Sequence, residues 1–154
     1  MFLKAYEPNL YPFVEAIQIS PSDSIFTKTP IDNIISAQHD KERHPILVME
    51  NGSCVACFTL PEGNGPKDYT NNRNAVFFRS FSVDCRNRGR GIGKKTIQIL
   101  PKYVKKNFPE VNEITLAVNT DNLKAIHLYC QAGYIYTYGS LLVGRPVHIM
   151  KYYL

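Results

Sequence analysis

The sequence predicts an α/β (α+β) protein, and three observations carry that prediction. Strand-like and helix-like apolar patterns alternate along the 154 residues. An Asn-Gly pair separates two apolar, β-branched runs, the signature of a tight antiparallel hairpin. A glycine-rich segment, Arg88-Gly89-Arg90-Gly91-Ile92-Gly93, stands between an aromatic, β-branched run and a helical stretch, which makes a strand-turn-helix unit.

Taken in order, Phe2 to Tyr6 is a first strand, and Leu10 to Ile17 is a short helix with apolar residues at helical spacing. Thr29 can cap and Pro30 suits a first turn, so residues 30–39 run helical through Ile31, Ile34 and Ile35. Ile46 to Glu50 and Cys54 to Leu60 flank Asn51-Gly52, the dipeptide that best supplies two positive φ angles. Residues 61–74 form a long polar loop. The strand Ala75 to Val83 feeds the glycine turn, and Lys94 to Lys106 is an amphipathic helix that Pro101 should kink or divide. Glu113 to Asn119 alternates as a strand with Ile114, Leu116 and Val118 on one face. Asn122 to Gln131 is a helix with Asp121 as candidate cap, stopped by Gly133. A last hairpin pairs Tyr134 to Leu142 with Val147 to Tyr153 across Val143-Gly144-Arg145-Pro146.

The composition, 44% hydrophobic with no linker, repeat or low-complexity stretch, predicts one domain over residues 1–154. The first residues are too soon interrupted for a signal peptide and no apolar run approaches membrane length, so a cytoplasmic protein is expected. The sequon Asn51-Gly52-Ser53 is then a hairpin turn. Of the four cysteines only Cys54 and Cys57 have metal-like spacing, and on a regular strand they face opposite sides, which argues for free thiols and no metal. The net charge of +5 is accounted for by the cations near the glycine turn, leaving no separate basic stripe for nucleic acid.

Those cations are the chemical signal. The glycines allow a tight turn and close approach, and the first amides of the following helix point outward without intrahelical partners. Arg86, Arg88, Arg90, Lys94 and Lys95 crowd the same segment, so backbone donors, helix dipole and side-chain charge favour one polyanion, best a pyrophosphate. A Walker A loop is excluded because Gly93-Lys94 is followed by Lys95 and not by Ser or Thr. A dinucleotide fold would need this turn after the first strand of a βαβ unit, with an acidic residue about twenty positions on.

At these residues the chain resembles the GNAT superfamily of N-acetyltransferases, loosely its polyamine acetyltransferase branch. Arg88, Gly91 and Gly93 match the acetyl-CoA motif [QR]-x-x-G-x-[GA], and Asn119, Asn122, Ala125, Tyr129, Gly133 and Tyr134 match N-x-x-N-x-x-A-x-x-x-Y-x-x-x-G-[FY]. The resemblance covers about residues 75 to 135. It implies an acetyltransferase fold, a mixed central β-sheet with helices on both faces, and the order βααβββαβαββ agrees. It also implies acetyl-CoA as cosubstrate, with Phe81, Ser82 and Val83 beside the pantetheine arm and Arg88, Gly89, Arg90, Gly91, Ile92, Gly93 and Lys94 around the pyrophosphate. Asn122 would touch the pantetheine chain and Tyr129, two helical turns on and on the same face, would protonate the departing thiolate.

The reaction so implied is direct attack of a primary amine, from a small amine, a polyamine or a peptide N-terminus, on the thioester. No carboxylate lies in Ala75 to Val83 or Ile114 to Asn119, so the base is left open between a water chain on a backbone carbonyl and Asp68, Glu62, Glu50 or His127. His127 lies about 200° around the helix from Tyr129. Glu62, Asp68 and Tyr69 would hold a cationic amine if their loop folds over the acceptor site. A noncatalytic CoA-binding regulatory domain is the alternative, motivated by the missing strand carboxylate. The final hairpin offers an edge that a second copy could pair with, and an ordinary protected edge fits it equally.

Overall fold

The computed structural model describes residues 1–24 and 27–154. Its strands are β1 (Phe2–Ala5), β2 (Arg43–Glu50), β3 (Ser53–Pro61), β4 (Ala75–Val83), β5 (Glu113–Asn119), β6 (Ile135–Leu142) and β7 (Arg145–Tyr153). Its helices are α1 (Tyr11–Glu15), α2 (Pro21–Ser24), α3 (Pro30–Gln38), α4 (Ile92–Asn107) and α5 (Leu123–Gln131). The strands form one mixed sheet in the order β1-β2-β3-β4-β5-β7-β6, with β4 parallel to β5 and the other neighbours antiparallel.

Each face of the sheet carries its own apolar core. Leu10, Val14 and Ile34 bring α1 and α3 onto Leu47, Met49, Cys54 and Cys57. On the opposite face Ile92, Ile97, Leu100 and Val104 of α4 pack with Phe58, Phe78, Ile114, Leu116 and Met150, and α5 adds Ala125, Leu128 and Tyr129. Fully burying one such aliphatic side chain is worth about 1.5–3 kcal/mol, so the two cores fix which face each helix covers.

Several local expectations are met. Thr29 caps α3 by accepting from the Asp32 amide at 3.2 Å, and Asn51 and Gly52 take φ of 52° and 78° in the β2–β3 turn. Others are corrected. Pro101 does not divide α4: the helix runs unbroken through it, with the fully buried Leu100 and Val104 pressing the turns on both sides onto the sheet. Asn122, not Asp121, caps α5, its Oδ1 accepting from the Ala125 amide at 3.2 Å. The last hairpin turns on Val143 and Gly144 alone, at φ 51° and 73°, a two-residue turn whose twist matches that of paired strands.

The four cysteines are free thiols as expected, but Cys54 and Cys57 do not face opposite sides. Met49 pairs with Cys54 but Val48 pairs with Ala56, so Val55 is an extra residue in β3. This bulge shifts the strand by one side, and Cys54 and Cys57 face the same core with their sulfurs 3.6 Å apart. Their hydrogen bond pulls the Cys54 thiol down and, with burial, pushes Cys57 well up.

Candidate active site

The β4–β5 ladder pairs Ala75 with Glu113 through Phe78 with Leu116, and then it stops. Residues 79–83 stay on β3 while residues 117–119 stay on β7, so the two central strands part. A bulge marks the parting: Thr59 pairs with Arg79 and Cys57 with Ser82, so β4 spends one extra residue there, and Ser80 takes φ 57°. The gap widens into a cleft of about 840 Å³. Phe78, Phe81, Ala117 and Val118 form its apolar walls, Gly93 and Arg88 stand at the glycine-turn side, and Asn122, Leu128 and Tyr129 of α5 line it.

At the end of β4 the chain is locked. Asp84 is 1% exposed and accepts from the Arg86 amide at 2.8 Å, Arg86 Nε at 3.0 Å and Arg86 Nη2 at 2.7 Å. Its Oδ2, which takes the Arg86 Nη2 bond, also accepts from the Gln18 amide at 3.2 Å. The Arg86 side chain, then, more than the backbone bonds, lowers its carboxyl to about 2 against the opposing cost of burial. Arg86 further donates to the Ala16 carbonyl at 2.9 Å, tying the segment after α1 to the glycine turn.

The turn itself has the expected backbone. Gly89 and Gly91 take φ of 76° and 75°, a region closed to most side chains. Gly91 is the N-cap of α4 and has no side chain to satisfy the first amides, so those of Ile92, Gly93 and Lys94 lack a side-chain cap, as at an anion-binding helix start. A Cβ at Gly93 would meet Phe81 Cε1 at 3.6 Å, on the cleft wall.

Of the residues singled out in the sequence, Phe81, Arg88, Gly93, Asn122 and Tyr129 are brought together on this cleft. Others are not. Ile92 is buried in the α4 core, Val83 packs against that core in register with Ala56, and Ser82 is buried opposite Cys57. Lys94 borders a neighbouring hollow with Gln98 and Leu128. The Arg90 guanidinium bonds Glu50 at 2.6 Å and Asn87 at 2.5 Å, and Lys95 Nζ lies 4.0 Å from the same Glu50. Among the described residues, the clustered cations Arg86, Arg90 and Lys95 thus have protein carboxylates beside them.

Tyr129 is half-buried, its ring 5.7 Å from that of Tyr134, and burial pushes its phenol up to about 12. It keeps its proton across the physiological range. Tyr134, behind it, is pushed higher still by burial and by its tyrosine neighbours. Asn122 spends its carbonyl oxygen on the helix cap, which leaves its amide donors for a ligand.

No carboxylate is found among the described side chains lining the cleft. Glu62 bonds His44 Nε2 at 3.0 Å, Glu50 holds Arg90, and Asp68 and His127 are exposed away from the lining. The 62–74 loop is fastened elsewhere: Tyr138 Oη donates to the Tyr69 carbonyl at 2.7 Å, and Lys151 Nζ to Thr70 Oγ1 at 3.1 Å. The sequence reading missed Lys28, Arg79, Lys124 and Arg145 on the lining. The signal for Arg79 was present, as the lone charge inside the strand Ala-Val-Phe-Phe-Arg-Ser-Phe-Ser-Val.

The pattern of the acetyltransferase (GNAT) family matches residues 11–134. An N-acetyltransferase named YbbJ from Bacillus subtilis (strain 168), itself uncharacterized, is 31% identical over 134 residues, covering 86% of this chain and 84% of that protein. Among solved structures, aminoglycoside acetyltransferase AAC(6')-Ib in complex with coenzyme A superposes at a TM-score of 0.76 with 16% identity, over 99% of this chain and 94% of that one. A spermidine N-acetyltransferase SpeG chimera from Vibrio cholerae and hSSAT superposes at 0.72 with 18% identity, over 99% and 96%. These two are likenesses of fold. The chain belongs to the GNAT acetyltransferase family, and it is an acetyltransferase.

Proposed function

We propose that the protein transfers the acetyl group of acetyl-CoA to a primary amine by direct attack, with the cofactor laid through the gap between β4 and β5. The observation that carries this is the parted ladder: one continuous cleft runs from the start of α4 to Tyr129, with strand backbone on both sides. The pyrophosphate lies on the amides of Gly91 to Lys94 with Arg88 beside it. The pantetheine arm takes the place of a strand against residues 79–83, and Asn122 donates to it. The solved AAC(6')-Ib complexes with coenzyme A and acetyl-CoA support the cosubstrate.

In the transfer, the amine nitrogen bonds the thioester carbonyl carbon and a backbone amide near Phe81 to Val83 stabilises the oxyanion. The C–S bond then breaks, the thiolate takes a proton from Tyr129, and Tyr129 regains one as the amine nitrogen gives up its own proton through water. With no lining carboxylate, water on backbone carbonyls is the route for that proton. No covalent intermediate on the protein is required. The partners are acetyl-CoA and an amine, without nucleic acid or membrane. No helix among the described residues is long and apolar enough to cross a membrane, and we read the protein as cytoplasmic. A homodimer through the exposed β6 edge, with Tyr136 and Leu141 outward, is compatible with this reading.

The test is thiol release from acetyl-CoA over a panel of amino acids, peptides, polyamines and aminoglycosides, beside a titration of CoA. Turnover of an amine is expected. CoA binding with no turnover of any amine would leave a noncatalytic CoA-binding domain, and no CoA binding would refute the site.

A further inference from the structure

We propose that the acceptor amine carries a carboxylate, and that Arg79, backed by Arg43, recognises it. The inference rests on the acyl-transfer reading above and names its acceptor class. Arg79 lies opposite Thr59 just before the β4 bulge, on the face turned toward α3. Its side chain lines the cleft, and its guanidinium sits 5.8 Å above the ring of Phe77, which is itself stacked on Tyr69 at 4.8 Å. Arg43 projects on the same face, since it pairs with Pro61, two residues along β3 from Thr59. The two cations are close enough that, after burial, the charge of Arg43 is the next cause lowering the Arg79 pKa.

This is a counter-ion deficit. Nε of Arg79, Nε of Arg43 and Oγ1 of Thr59 are buried and have no hydrogen-bond partner. Arg43 reaches a side chain acceptor at Asn33 Oδ1, 3.3 Å away, which is neutral. Among the described residues no carboxylate lies within ion-pair distance of Arg79 or Arg43. Elsewhere the chain supplies such anions itself, Asp84 to Arg86 and Glu50 to Arg90. Both arginines are half-buried, with the Nε of each wholly buried and unpartnered, and leaving such a donor unsatisfied is unfavourable, so the partner comes with a ligand.

The cofactor is not that ligand. Its phosphates belong at the glycine turn, beyond the end of β4, and its pantetheine and thioester are uncharged. The anion at Arg79 therefore arrives with the acceptor. A planar guanidinium matches a carboxylate two bonds at a time, and two arginines, one already shared with Asn33, suit a single negative charge better than the double charge of a phosphate. A polycationic acceptor would face Lys28, Arg79 and Lys124 with no lining carboxylate among the described side chains.

The experiment compares kcat/KM for amino acids with that for their carboxamides, alongside spermidine, kanamycin and O-phosphorylethanolamine, in wild type and Arg79→Met. Carboxylates should win by about 10-fold to 100-fold, the range for a charge-assisted hydrogen bond, and Arg79→Met should bring the ratio within about twofold of one. Because the variant removes a half-buried charge that has no counter-ion among the described residues, it should melt no lower than wild type. A wild-type ratio near one, a preference for spermidine, kanamycin or the phosphate, a ratio that survives Arg79→Met, or a variant melting well below wild type would overturn the proposal. If no amine is turned over, acyl transfer itself has failed, and calorimetric titration of the same amino acids and carboxamides into the CoA-loaded protein decides the carboxylate site separately: selectivity lost in Arg79→Met supports it and its absence overturns it.

Discussion

Replacing Asp84 with Asn should cost the fold about 2.5 kcal/mol at neutral pH, and the cost should disappear in acid. The Asp84 carboxyl is lowered from 3.8 to about 2, chiefly by hydrogen bonds from Arg86, and at ~1.36 kcal/mol per pH unit that drop is worth about 2.5 kcal/mol. A depressed carboxyl stabilises the fold above its unfolded pKa, and the contribution is lost as pH falls from 3.8 through about 2. Asn keeps an oxygen for the Arg86 amide, so the substitution isolates the charge. Every other carboxylate titrates alike in both proteins and cancels. Denaturant unfolding followed by circular dichroism from pH 7 to pH 2 measures the gap, which corresponds to about 5–10 °C in melting temperature at pH 7. A gap of the same size at pH 7 and pH 2.5, or none at pH 7, would refute the assignment of that stability to the Asp84–Arg86 clamp.

Four further outcomes are expected. Tyr129→Phe should lower kcat about 100-fold while calorimetry finds the Kd for CoA within about twofold of wild type; a loss of CoA affinity to match the loss of rate would make Tyr129 a binding residue instead. Because burial pushes the Tyr129 phenol up to about 12, its acid form persists as pH rises, so kcat/KM should climb with deprotonation of the amine and show no descending limb below about pH 11; a limb near pH 9 that vanishes in Tyr129→Phe would contradict this. Gly93→Ala places a methyl 3.6 Å from Phe81 Cε1, an ordinary contact, so stability should hold or rise by up to about 1 kcal/mol while CoA affinity falls, and unchanged affinity would remove Gly93 from the cofactor path. Ellman's reagent should titrate Cys85 and Cys130, which are exposed, in the native protein and reach the buried Cys54 and Cys57 only in denaturant.

The elements were legible wherever a local rule fixes the chain. Thr29-Pro30 and Asn51-Gly52 each dictate backbone angles within a few residues, and the glycine turn and the α5 motif each lie in one continuous segment. What stayed hidden depends on partners across the sheet. The Cys54–Cys57 contact needs the extra residue at Val55, which only the register with β2 reveals. The ties of Arg86 and Arg90 need to know where Asp84 and Glu50 come to rest, and in sequence all five cations near the turn look equally available. At Pro101 the helix is not divided, because the burial of Leu100 and Val104 outweighs the local rule. The proposed acceptor side was illegible for the same reason: Arg43 and Arg79 are 36 positions apart and come onto one face only through β3.

The cleft stands open because each parting strand is held by its outer neighbour. Beyond Phe78, β4 stays on β3, and past its last residue the Asp84 amide donates to the carbonyl of Val55, the bulge residue, at 2.9 Å. The Cys85 amide then bonds the Gln18 carbonyl at 2.8 Å. Beyond Leu116, β5 stays on β7 through Asn119 and Val147, and the Thr120 amide reaches the Pro146 carbonyl at 3.2 Å. Neither strand can close the gap without giving up bonds on its other side, so the cleft is built before any ligand arrives, and binding spares most of the cost of ordering it. The same bulge that parts the strands also resets the pleat, so that Arg79 and Ser82, three residues apart, lie on one face of β4. The inserted residue at Ser80 thereby parts the strands immediately after Arg79, whose face is already set by its alternation with Phe77.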